Sequence, residues 1–215
     1  MGQRNLRFAV VMGLHTFISA GTYLLGKAAT DAIPTLALGL LRFLIAGSGF
    51  LVLARIRGLE LWPVAKAEWR AYFWVGFLGV AVNQVAFLGG LALTLPSHAA
   101  LLYALTPTMV LLLAWIRGQE RPGPLKLGGL VLAFSGVAVL FSGRAGGALP
   151  PRWILGDLMV LVAVVAWAGY TVLSRPLVQK HGAQRATTLS ILFGLAIFTP
   201  MGLFGLPRLT LASVP

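Results

Sequence analysis

Residues 34–54 read PTLALGLLRFLIAGSGFLVLA, a run with a proline at its head and a single charge, Arg42. About 20 consecutive apolar residues cross the hydrocarbon core of a bilayer as a helix. A barrel strand needs only about 10 and alternates in polarity, a pattern missing from this stretch. The run therefore predicts a membrane-spanning helix. The same reading gives six more, at Phe8–Gly26, Tyr72–Leu93, His98–Ile116, Leu125–Ser142, Leu155–Ser174 and Thr187–Phe204. Short connectors separate them and carry Pro34, Pro63, Pro96, Pro122, Pro124, Pro150, Pro151 and Pro207, residues that mark helix ends.

Composition agrees with this all-α, multi-pass reading. Of 215 residues, 58% are hydrophobic and 10% charged, and the mean hydropathy is +0.88. A water-facing domain carries about 25% charged residues. The 26 glycines suit helices that must approach closely within lipid. The net charge of +12 would suggest nucleic acid in a soluble protein; here it is better explained by basic cytoplasmic loops. The chain has no cysteine, which excludes disulfides, thiolate metal sites and cysteine nucleophiles. Phe8–Gly26 is long enough to span and has no clean small-residue cleavage site after it, so it reads as a retained helix.

Charge also sets the expected orientation. With the N-terminus inside, twelve Lys and Arg fall on the cytoplasmic side, among them Arg57, Arg70, Arg121 and Lys180. The opposite side holds four, Lys27, Arg144, Arg152 and Arg208. Loops this short obey the positive-inside rule, so the N-terminus is expected in the cytoplasm of a cell whose inner membrane holds the chain. A shift of 148 residues carries Ala20-Gly21 onto Ala168-Gly169, Leu25 onto Leu173 and Lys27 onto Arg175. It moves the first span onto the sixth, which enters from the other side, as in an inverted repeat.

Several ordered motifs carry a family resemblance. They are Gly26-Lys27, Leu41-Arg42-Phe43, Pro96-Ser97-His98-Ala99-Ala100, Leu105-Thr106-Pro107, Gln119-Glu120-Arg121-Pro122, Ser135-Gly136-Val137, Leu155-Gly156-Asp157-Leu158 and Ala166-Trp167-Ala168-Gly169-Tyr170. In that order, over residues 8–204, the chain resembles the EamA-like branch of the drug/metabolite transporter superfamily. The resemblance implies a ten-helix fold of two inverted five-helix repeats around a central cavity. Residues 1–142 would be the first repeat, and 143–215 the start of the second, with its helices 6 and 7 only. The chain departs from the pattern by ending after seven spans, and Leu206–Pro215 reads as the loop before an eighth. About three further helices are expected in the native gene.

Polar groups within lipid are costly and are candidates for function. In the first span His15, Ser19, Thr22 or Tyr23, and Gly26 share one helical face. The face reads as a cavity lining, or else as a polar stripe packed on neighbours. Trp167 and Tyr170 offer aromatic surface in the sixth span, either to a substrate or to ordinary packing. Asn83-Gln84 serve a substrate or the next helix, on a span whose Gly76, Gly79 and Gly90 read as a close-packing face. Tyr103 stands by Thr106-Pro107, where the proline bends or gates the helix. Gly129, Ala133 and Gly136 read as a second packing seam.

Arg42 is the one basic residue deep in a span, at an insertion cost of about 2.5–3.5 kcal/mol. The five acidic residues, Asp31, Glu60, Glu68, Glu120 and Asp157, all read as helix ends or loops, which leaves Arg42 no carboxylate within the membrane. Snorkelling or bonds to helix-end carbonyls would accommodate it, and the family resemblance favours a structural role. Ion coupling would run through His15, run through helices beyond this chain, or be absent. No G-x-S-x-G, H-E-x-x-H or phosphate loop occurs, so an enzyme is not expected. His15, His98 and His181 fall at different depths, too far apart to hold one metal, and no cofactor is expected.

The resulting expectation is a secondary transporter, exporting an amino acid or similar small metabolite by alternating access. The substrate-binding candidates are His15, Ser19, Tyr23, Asn83, Gln84, Tyr103, Trp167 and Tyr170. The partners are that small molecule and the lipid bilayer. The oligomeric state is open, a homodimer among the options. The competing reading is a seven-helix receptor or scaffold.

Overall fold

The computed structural model describes residues 3–142 and 150–206, without the side chains of residues 3–7, 15, 140 and 141. Seven helices run through the described residues: α1 (Gln3–Ala32), α2 (Thr35–Ile56), α3 (Lys66–Leu93), α4 (Pro96–Ile116), α5 (Pro124–Phe141), α6 (Pro151–His181) and α7 (Ala183–Leu203). Six are long and apolar enough to cross a membrane, and α5 is a shorter apolar helix. The chain is thus an all-α, multi-pass membrane protein.

The turns divide the bundle into two ends. At one end, Pro34 precedes α2, Pro96 opens α4, and Pro150-Pro151 open α6. Proline suits a first helical turn, where its missing N–H costs nothing. At the other end Gly118 follows α4 with φ of +67°, and Gly182 joins α6 to α7 with φ of +79°. Glycine adopts this left-handed geometry without a Cβ clash. These are called the proline end and the glycine end below.

Two helices run longer than their apolar stretches. The sixth span, read as Leu155–Ser174, continues through Pro176 to His181. Its last turn is tied to the start of α3, where Glu68 takes Lys180 Nζ at 2.6 Å and lies 2.9 Å from His181 Nε2. The first span, read as ending at Gly26, runs to Ala32. There Lys27 donates to the Ala92 carbonyl at 2.7 Å and pairs with Asp31 at 3.3 Å.

Helix α3 is the axis of the assembly, packed on α6, α7, α1 and α2, while α2 packs in turn on α7. Within lipid, packing rather than water exclusion holds helices together, so close contact matters most. The glycines of α3 provide it. A Cβ at Gly76 would lie 2.5 Å from the Gly194 nitrogen on α7, and one at Gly90 would lie 2.7 Å from the Gly156 carbonyl on α6. Gly79 lies flat against the Tyr170 ring. The close-packing face expected for α3 is present. The seam expected on α5 is not: a Cβ at Gly129 or Gly136 meets nothing within 4 Å, and no described residue of α5 is buried. Among its described side chains, Ala133 and Val137 pack against the core.

Candidate functional site

Two interrupted helices meet at the centre of the polar residues. In α3, residues Phe77–Val82 form a π-helical segment immediately before Asn83. Such a segment inserts a residue into the turn and re-aims the side chains after it. In α4 the helix breaks between Tyr103 and Thr106. Pro107 has no N–H to offer the Tyr103 carbonyl, and the Thr106 hydroxyl takes its place at 2.6 Å. The bend expected at Thr106-Pro107 is there.

Across this junction Asn83 Nδ2 donates to the Tyr103 hydroxyl at 2.8 Å and to the Ala163 carbonyl of α6 at 2.9 Å. The amide thus joins three helices. The Tyr103 ring stands edge-on to Phe87 at 5.1 Å and to Tyr23 of α1 at 6.1 Å, with Tyr23 and Phe87 6.0 Å apart. Asn83 is buried, while Tyr23 and Tyr103 are only half-buried. Counting back from the proline end at 1.5 Å per residue, Tyr23, Arg42, Asn83 and Tyr103 all lie roughly 10–15 Å deep.

The remaining candidates fall elsewhere. Ser19 lies one turn from Tyr23, in a cleft of about 430 Å³ against Pro96 and Ala100 of α4. Gln84 points away from Asn83, towards Gly39 of α2 and Phe198 of α7. Its Nε2 is buried without a hydrogen bond among the described residues. Trp167 and Tyr170 contact each other at 4.9 Å. They sit roughly 24–28 Å from the proline end. His15 lies in α1, but its side chain is outside the described residues. The structure therefore brings Tyr23, Asn83 and Tyr103 together, with Ser19 at their edge, and leaves Trp167 and Tyr170 apart from them.

A larger cavity than the Ser19 cleft is elsewhere again. About 750 Å³ opens between α3, α4 and α6, lined by aliphatic side chains such as Leu78, Leu113, Leu161 and Val165. Without a converging set of polar groups it suits a lipid chain better than a polar metabolite.

Two residues need reassignment. Asp157 was expected at a helix end, but it lies inside α6 with no exposed surface. Its carboxylate accepts from the Thr94 hydroxyl and lies 3.0 Å from His98 Nδ1. Gly156 makes this possible by letting the Thr94 backbone reach α6. Arg42 lines a cleft of about 330 Å³ between α1 and α2, with Thr22, Gly26 and Leu38. Among the described residues it makes no hydrogen bond or ion pair, to a helix-end carbonyl or to anything else. The missing carboxylate partner of Arg42 was legible in the sequence, whereas the burial of Asp157 was not.

A bundle of apolar helices with an interrupted pair around a small polar centre is a membrane-transporter architecture. The family follows from comparison: residues 7–142 match the EamA-like transporter family. The chain belongs to that family, one of transporters and not of enzymes. It is 26% identical to the "Uncharacterized transporter YetK" of Bacillus subtilis over 87% of this chain and 57% of that one. It is 25% identical to an "Uncharacterized transporter" of Archaeoglobus fulgidus over 93% and 68% of the two chains. The Arabidopsis thaliana "Protein WALLS ARE THIN 1" is 24% identical over 62% and 42%. One solved crystal structure shares the fold, with a TM-score of 0.64 at 24% identity over 92% of this chain and 67% of that one. The chain thus spans 57% of the first of these curated relatives.

Proposed function

We propose that the chain acts in secondary transport of a small metabolite, exporting an amino acid or a related amphipathic molecule by alternating access. The observation that carries this reading is the Asn83–Tyr103 hydrogen bond at 2.8 Å, made where α3 and α4 are both interrupted. Broken helices release backbone and side-chain polar groups into a cavity at mid-membrane, the arrangement from which carriers build substrate sites. In this reading Ser19, Tyr23, Asn83 and Tyr103 form one wall. His15, Gln84, Trp167 and Tyr170 stay candidates outside that wall, with Trp167 and Tyr170 forming a second face further from the proline end. Family membership supports transport over the receptor or scaffold alternative.

The finer architecture is part of the same proposal. Residues 1–142 are read as one five-helix repeat, and 143–215 as the start of an inverted second, in a ten-helix arrangement. The family match over residues 7–142 supports that division.

Uptake into proteoliposomes from a panel of labelled amino acids tests the function. Asn83→Ala is expected to lower transport about tenfold at equal incorporation, the scale of one buried hydrogen bond lost. Wild-type rates in that variant would remove the junction from the site. No uptake of any panel member by the wild type would overturn the amino-acid reading.

Orientation is tested separately. The N-terminus is proposed to be cytoplasmic, in the cell's inner membrane, which puts the glycine end inside. The chain has no native cysteine, and both Glu60 and Ser97 are exposed. An impermeant thiol reagent on intact cells should label Ser97→Cys and spare Glu60→Cys. The opposite pattern would invert the topology.

A further inference from the structure

Every described carboxylate but one already has a partner. Asp31 pairs with Lys27, Glu68 with Lys180 and His181, Glu120 with Lys126, and Asp157 with His98 and Thr94. The fifth, Glu60, lies exposed in the connector between α2 and α3 at the glycine end. Arg42, roughly 10–15 Å from the proline end, forms no ion pair with any of them among the described residues. Its guanidinium stays charged at any accessible pH, because the group does not deprotonate in proteins. It is half-buried and lines a cleft of about 330 Å³ with Thr22, Gly26 and Leu38.

We propose that Arg42 is the anion subsite of this transporter: it takes the carboxylate of the substrate in the cleft between α1 and α2, and thereby selects organic monoanions. The inference rests on the transporter reading and refines its substrate class. A guanidinium fits a carboxylate with two parallel N–H···O bonds. The aliphatic lining of the same cleft, Ile18, Leu25, Ala29 and Leu38, suits an apolar body on the same molecule. The charge count decides the class. One uncompensated cation makes a neutral complex with a monoanion, keeps a positive charge with a zwitterion, and doubles it with an amine. In a low-dielectric site these differences are large. An N-acylated amino acid or a simple aromatic carboxylate is therefore preferred over the parent zwitterion.

The probes are N-acetyl-L-phenylalanine, its methyl ester and L-phenylalanine, which share a side chain and differ in charge. Equilibrium dialysis of the labelled compounds against the purified chain should show the acid bound at least about tenfold tighter than the ester, a difference of about 1.4 kcal/mol. Arg42→Gln should abolish that preference. Arg42→Lys should keep part of it, because an ammonium supplies charge without the planar fork. Should Arg42→Gln fail to fold, the comparison of acid with ester on the wild type still decides. Equal binding of acid and ester, binding of none of the three, or an undiminished preference in a folded Arg42→Gln overturns the subsite. Displacement of the acid by phosphatidylglycerol but not by unlabelled acid would assign Arg42 to a lipid headgroup and also overturn it. Uptake separates the two readings. Preferred binding of the acid without uptake removes transport and leaves the subsite. Uptake without preference for the acid removes the subsite and leaves transport.

Discussion

Gly76→Leu prevents α3 and α7 from docking and leaves little folded protein. A Cβ at this position would lie 2.5 Å from the Gly194 nitrogen, 2.9 Å from its Cα and 3.0 Å from the Ser190 carbonyl. All three are backbone atoms, so no rotamer change relieves the contact. Gly194 is equally confined, because a Cβ there would run into the Val80 side chain and the Gly76 carbonyl. Separating the helices also strips contacts from the cluster of Val64, Tyr72, Val75, Leu177, Ala186 and Leu189 on this side of α3. Overpacking costs typically 1–3 kcal/mol where side chains can yield; here they cannot, and a loss of about 3 kcal/mol or more is expected. The control is Gly128→Leu on α5, where a Cβ meets nothing within 4 Å. The measurement is the yield of monodisperse protein in detergent, with unfolding in mixed micelles. A Gly76→Leu protein as stable and abundant as Gly128→Leu would show that the α3–α7 contact is not what holds the bundle.

This pair of glycines also shows what sequence can and cannot reveal here. That α3 has a small-residue face is legible, because Gly76, Gly79 and Gly90 recur on one side of an apolar run. Which helix lies against that face is not, because the partner groups come from residues more than sixty positions away: Gly156, Tyr170 and Gly194. The same limit explains α5. Its Gly129 and Gly136 have a similar spacing, yet nothing among the described residues packs on them. Span positions were readable because apolar runs and prolines are local signals. The lengths of α1 and α6 were not, because Lys27–Ala92 and Lys180–Glu68 extend them through tertiary bonds.

The site divides in the same way. Tyr103 with Thr106-Pro107 is a local signal, since a proline and a hydroxyl one residue apart determine where the Tyr103 carbonyl bonds. Asn83 was legible as a polar residue in lipid, but its aim depends on the π-helical turn before it, which FLGVAV does not announce. Trp167 and Tyr170 lie about one and two turns along α6 beyond the Ala163 carbonyl that Asn83 reaches, so their place relative to Tyr103 depends on helix packing and not on a local signal.

The least legible residue, Asp157, supports the other large expected effect. A charge six residues after Pro151 reads as an interfacial helix start, and its partners Thr94 and His98 lie about sixty residues earlier. The carboxylate is fully buried, and the His98 side chain keeps only 14% of its surface exposed, edge-on to Trp153 at 5.9 Å. Among the described residues towards this end, Lys27 is engaged with Asp31 and the Ala92 carbonyl, Arg42 forms no ion pair, and Arg152 is exposed. Asp157 therefore ties the α3–α4 turn to α6 by two hydrogen bonds, beside the Gly90–Gly156 contact. Asp157→Leu deletes both acceptors and leaves a hydroxyl and an imidazole buried without partners. Removing one member of a buried pair costs about 3–5 kcal/mol, so this variant is expected to unfold at far lower denaturant than wild type. Asp157→Asn keeps one acceptor oxygen and the shape, and should lose much less. The triple variant Thr94→Val, His98→Leu, Asp157→Leu should regain most of the loss, because an apolar replacement of the whole cluster leaves no orphaned group. Unfolding of the three proteins in mixed micelles decides the matter. If Asp157→Leu stays within about 0.5 kcal/mol of wild type, the size of an ordinary surface substitution, the cluster does not hold the turn to α6.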